Sequence, residues 1–135
     1  MFDTKITIVV RDDLQVWQKL NVTAFLMSGI VGADPTIIGE PYRDAAGNTY
    51  LSMSIQPVIA LVADGALLAT IHRRALQRNV FPALYIEEMF ATGHDAANRA
   101  VFAEYGPDTA KVVGIALREE KKVVDKITKG ARMHP

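Results

Sequence analysis

The stretch "KITIVVRDDL", residues 5–14, constrains the fold more tightly than any other. Ile6, Thr7, Ile8, Val9 and Val10 are all β-branched, and such side chains crowd a helix but pack well on a pleated surface. The run carries no charge and does not alternate with polar residues, so it reads as a strand covered on both faces. Arg11, Asp12 and Asp13 follow at once, and then "VWQKLNVTAFLMSG", where Val16, Leu20, Ala24 and Met27 recur at helical spacing. Asp13 is expected to cap that helix, its carboxylate facing free amides at the positive end of the helix dipole. "SGIVGADP" is the stop signal.

The same alternation continues. "VIALVA", residues 58–63, is a second buried strand, and "DGALLATIHRRALQRN" is an amphipathic helix opening on Asp64 and closing on Asn79, with Leu67, Leu68, Ile71, Ala75 and Leu76 on one side. "ALYIEEM" reads as a strand, "HDAANRAVFAEYG" as a helix and "AKVVGIAL" as a strand. "REEKKVVDKITKGA" reads as a closing helix with Val123, Val124 and Ile127 inward. Between the first helix and second strand, residues 36–55 hold Gly39, Pro41 and a "DAAGN" turn between strand-prone arms, the pattern of a β-hairpin insertion. The expectation is a three-layer α/β sandwich in one domain, 1–135, with a mixed, largely parallel central sheet.

Composition narrows the function classes. Fifteen basic and fifteen acidic residues cancel, so net charge gives no field for nucleic acid or anionic membranes. The absence of cysteine removes disulfides, thiolate catalysis and sulfur-ligated metals. "MFDTKITIVV" lacks a basic lead and a small-residue cleavage site, and its apolar run is too short to span a bilayer, so a cytoplasmic location without membrane attachment is expected. There is no Gly-rich phosphate loop, serine elbow or paired metal motif, and neither a cofactor nor a metal is expected.

"KITIVVRDDL" followed by a helix resembles the opening of archaeal and eukaryotic-type peptidyl-tRNA hydrolases, and "KVVGIALREEKKVVDKITKGARMHP" resembles that family's closing strand, helix and tail. "LLATIHRRALQRNVFPALYIEEMFATG" can be laid on the segment between them. The resemblance implies a peptidyl-tRNA hydrolase type II-like fold carrying the 36–55 insertion. It also locates departures: the family's histidine position falls on Met27 and its lysine positions on Gln18 and Leu20. Its aspartate and threonine become Glu88 and Thr92, and a glycine that lets substrate near the backbone gives way to Phe90. The resemblance therefore implies an uncharacterised family with altered site chemistry.

The candidate site residues follow. Glu88 and Thr92 lie four apart near a strand end, as a base and a hydroxyl of a site or as caps of adjacent turns. His94, Asp95 and Asn98 follow as candidate ligand contacts; one His-Asp pair falls short of the three or four ligands a metal needs, and Thr92 or Asp95 as a helix cap explains the same letters. Arg11 either clasps its turn or forks onto a carboxylate or phosphate, and Asn21 is a polar interruption of the first helix that joins the list. Trp17 and the tyrosines read as core or interface packing. His72, Arg73, Arg74 and Arg78 make a small basic helix face that reads as solvated. Two functions stay open: a small-ligand or partner-binding protein, or a divergent hydrolase of peptidyl-tRNA or a related ester with Glu88 as general base. tRNA is not excluded, and the apolar hairpin residues Ile37, Ile38, Tyr42, Tyr50, Leu51 and Met53 point to a homodimer.

Overall fold

The computed structural model describes residues 2–135. The β-branched run forms β1 (Thr4–Arg11), and Ile6 to Val10 are each at most 4% exposed. It leads to α1 (Val16–Ala33), the hairpin strands β2 (Tyr42–Arg43) and β3 (Thr49–Tyr50), and β4 (Val58–Ala63). Then come α2 (Gly65–Gln77), β5 (Ala83–Ile86), α3 (Asp95–Phe102), β6 (Val112–Glu120), α4 (Lys121–Ile127) and β7 (Arg132–Met133).

The main sheet has the order β5-β6-β1-β4-β7. Among the described residues only β1 and β4 pair parallel, with α1 and the hairpin forming their crossover; β6 pairs antiparallel with both β1 and β5, and β7 with β4. The expectation of a largely parallel sheet is therefore corrected: the sheet is mixed and largely antiparallel. Coverage on both faces misled the reading, because antiparallel strands with helices on either side are equally apolar throughout.

Alternate side chains of β1 divide the core. Ile6, Ile8 and Val10 pack with Val22, Leu26 and Ile30 of α1, while Val9 packs with Leu68, Ile71 and Ala75 of α2 and with Val124 and Ile127 of α4. α1 approaches β6 over Gly114, where an added Cβ would lie 2.5 Å from Val22 Cγ1 and 2.9 Å from Leu26 Cδ1.

Several local expectations change. Val16 and Leu20 are 74% and 67% exposed; α1 is apolar nearly all round, so spacing alone does not tell which face is buried. Asp13 does not cap α1. Gln15 holds the N-cap position and its amide donates to Gln18 Oε1 at 3.0 Å, while Asp13 is drawn back to Arg11. β5 stops at Ile86, and Glu87–Ala91 forms a 3-10 turn rather than more strand. The closing helix is shorter than expected because residues 118–120 extend β6. Asp64 does cap α2, accepting from the Leu67 amide at 2.8 Å.

In the 36–55 segment, β2 and β3 pair antiparallel with Tyr42 opposite Tyr50. Asp44 organises the turn by accepting from the Ala46 and Asn48 amides, the Asn48 side chain and the Tyr50 hydroxyl. These bonds, led by the Asn48 and Tyr50 side chains, push its carboxyl down to about 2. At the hairpin base, buried Gln56 donates to Thr4 and accepts from Arg118, whose guanidinium also reaches Asp34 at 3.0 Å.

Candidate functional site: an aromatic cleft beside the first helix

Trp17, Asn21 and Phe25 recur every four residues along α1, which places them in one row on the helix surface. That row faces the end of β5 and the chain after it. There Tyr85, Met89 and Phe90 form the floor, and residues 92–98 close the far side of a cleft of about 360 Å³. The rings make a chain of contacts: Phe25 lies 5.8 Å from Tyr85, Tyr85 lies 5.2 Å from Phe90, and Phe90 meets Trp17 edge-on at 5.9 Å. Edge-on and tilted packing of this kind suits the ring quadrupoles. Burial raises the pKa of the Tyr85 phenol above its ordinary value, partly offset by the neighbouring Asn21 side chain, so the group stays a protonated donor at neutral pH.

The polar side of the cleft is built on the turn into α3. Thr92 Oγ1 sits 2.8 Å from the Met89 carbonyl oxygen and also contacts Asn98 Oδ1. A hydroxyl has one proton, so these two oxygens share it, and the contact pins Asn98 against the cleft. His94 holds the N-cap of α3, with Nδ1 accepting from the Ala97 amide at 3.2 Å. The cap is thus His94, not Thr92 or Asp95. With Nδ1 accepting, the ring's donor is Nε2–H. Asp95 pairs with Arg99 one turn on at 2.7 Å, an exposed i,i+4 bridge.

Residues 4–135 match the family model described as a protein of unknown function, DUF2000. The chain belongs to the DUF2000 family. It is similar to a solved structure of a protein of unknown function from Agrobacterium tumefaciens strain C58, with 65% identity over 100% of both chains and a TM-score of 0.99. No curated protein matches it.

In this DUF2000 member, five of the seven candidate residues come together: Asn21, Thr92, His94, Asp95 and Asn98 all line the cleft. Arg11 and Glu88 do not. Arg11 stands at the end of β1, with Nε 2.5 Å from Asp13 and a terminal nitrogen 2.7 Å from Glu87. Burial disfavours its charge, but the bonds to Glu87 and Asp13 outweigh that and raise its pKa. Glu88 lies in the 3-10 turn, with Oε2 shielded from solvent and without a hydrogen-bond partner among the described residues. The aromatic lining, Trp17, Phe25, Tyr85 and Phe90, was not read as a site from sequence. The signal was the row of Trp17, Asn21 and Phe25, a large-polar-large pattern at steps of four on a helix whose core contacts lie elsewhere. Among the described residues no cluster of three His, Asp or Glu side chains could hold a metal, and no helix is long and apolar enough to cross a membrane.

Proposed function

We propose that the protein binds a small planar molecule with polar substituents in the aromatic cleft. One observation supports this above the others: four aromatic rings and the polar groups of Asn21, Thr92, His94 and Asn98 converge on a single concavity. Its volume falls within the range of about 300–1,000 Å³ of small-molecule sites, and its lining is about equally apolar and polar, which suits a ring that carries polar substituents. Stacking on Trp17 or Phe90 would supply affinity, and the His94 Nε2 proton and the Asn98 amide would choose among substituents. A planar ligand also explains an aromatic ring at position 90. In this reading the protein acts in the cytoplasm.

The test uses Trp17, the sole tryptophan, as reporter. Titration with a panel of nucleosides and nicotinamide should quench its fluorescence saturably for at least one probe, and Phe90→Ala and Asn98→Ala should each weaken that probe about tenfold or more. Absence of a saturable response to the whole panel at millimolar concentration would reject the planar-ligand reading.

A second reading, hydrolysis of peptidyl-tRNA or a related ester, draws support from Glu88 and from the resemblance of the chain's two ends to peptidyl-tRNA hydrolases. Glu88 Oε2 has no hydrogen-bond partner among the described residues, and it would serve as the base once water reached this shielded atom. Thr92 would orient substrate from the cleft, and Arg11 would join it only on leaving Asp13 and Glu87. Purified protein should then turn over peptidyl-tRNA, and Glu88→Gln should lower kcat at least a hundredfold; turnover that survives the substitution removes Glu88 as base.

A further inference from the structure

β5 separates two hollows. Tyr85 faces the aromatic cleft, whereas Leu84 and Ile86 wall a second cavity of about 250 Å³ together with His72 and Leu76 of α2, Phe102 of α3 and Tyr105 just beyond it. The wall is almost wholly apolar, with His72 as the outlier. It is only 7% exposed, and its Nδ1 has no hydrogen-bond partner among the described residues. On the same helix Leu68, Ile71 and Ala75 fill the core, and packing alone would be served as well by another aliphatic side chain. A buried nitrogen left unpaired is destabilising, and folded proteins seldom keep one without a use.

We propose that this cavity is a second binding site, separate from the aromatic cleft, for a neutral alcohol of about the size of phenol, held by apolar burial and one hydrogen bond to His72. The volume lies just below the usual range for ligand pockets, which limits the occupant to about one ring. Burial, with the charge of Arg73 adding to it, lowers the pKa of His72, so the imidazole is neutral near pH 7. A carboxylate would enter an apolar wall without a cation to pair with. A hydrocarbon would form no hydrogen bond with the His72 ring. A hydroxyl both donates and accepts, so it can pair with a ring nitrogen of His72, which lines the cavity, in either tautomer. Leu76 and Phe102 are 42% and 38% exposed, which gives the cavity a route to solvent.

The experiment titrates the full chain with phenol, benzene and benzoate in parallel, following the ring nitrogens of His72 by NMR and the melting temperature. Phenol should move the His72 nitrogen resonances, raise Tm, and bind at least tenfold more tightly than benzene or benzoate. His72→Leu should fold and lose that preference. Equal binding of benzene and phenol would overturn the proposal, as would tightest binding of benzoate, no binding of phenol, or phenol shifts confined to Trp17 and Phe90. The His72 nitrogen shifts in the unaltered protein decide the matter even if the variant does not fold.

Discussion

At the residue scale, His72 makes a prediction that stands apart from any ligand. Its pKa is held below the ordinary 6.5, first by burial and then by Arg73. The folded state therefore binds fewer protons than the unfolded chain just below pH 6.5. Stability is fully present above that value, where the ring is neutral in both states, and erodes as the pH falls toward the folded pKa. His72→Leu removes this erosion together with the unpaired nitrogen. The variant should be about 1 kcal/mol more stable at pH 7, and its stability should fall less between pH 7 and pH 5, in urea unfolding followed by Trp17 fluorescence. Parallel pH slopes for the two proteins would show that His72 is not the titrating group. The charges after β1 show the opposite economy: Arg11 turns to Asp13 and Glu87, and Asp12 faces Arg132 at 3.8 Å. Sequence suggested a clasp or a ligand contact for Arg11. The carboxylate it reaches across the fold, Glu87, lies 76 positions away, beyond what local spacing can reveal.

At the element scale, the seat of α1 on the sheet depends on Gly114. Its Cα faces Val22 and Leu26, and a methyl group there would overlap both side chains. Gly114→Ala is expected to destabilise the protein by about 1–3 kcal/mol, because a packed core accommodates an extra group only by moving the helix. Since Trp17, Asn21 and Phe25 ride on that helix, the same substitution should perturb the aromatic cleft, visible as shifted Tyr85 and Phe90 ring resonances. A variant as stable as the parent, with unshifted rings, would mean that α1 is not seated by this contact. The elements themselves were largely legible: a β-branched run, an Asp cap and a Gly-containing turn each act through near neighbours. Strand direction and the buried face of α1 were not. Direction depends on which strands meet, and a helix apolar nearly all round carries no periodic signal to orient it.

At the scale of the whole molecule, the candidate site shows the same division between local and distant information. Thr92, His94, Asp95 and Asn98 were readable because they fall in one short stretch, whereas the aromatic wall joins α1 to β5 and the turn after it, and only folding brings these together. The hairpin raises the remaining question of shape. Residues 40 to 51 are all exposed, yet Asp44 holds their turn with four hydrogen bonds. A two-stranded hairpin is marginal in water unless something packs on it. Tyr42 and Tyr50 are about half exposed, and Leu51, Met53 and Ile55 are 90%, 56% and 57% exposed. We propose, as the sequence suggested, that a second copy of the chain covers this arm: a two-fold axis would set the same apolar residues against each other and close the contact without open-ended growth. Light scattering after size exclusion should give twice the chain mass of 14.8 kDa, and Leu51→Glu should shift the population toward monomer while leaving the melting of the main sheet unchanged at low concentration. A monomeric mass from micromolar upward would leave the arm exposed in the free protein and end the dimer proposal.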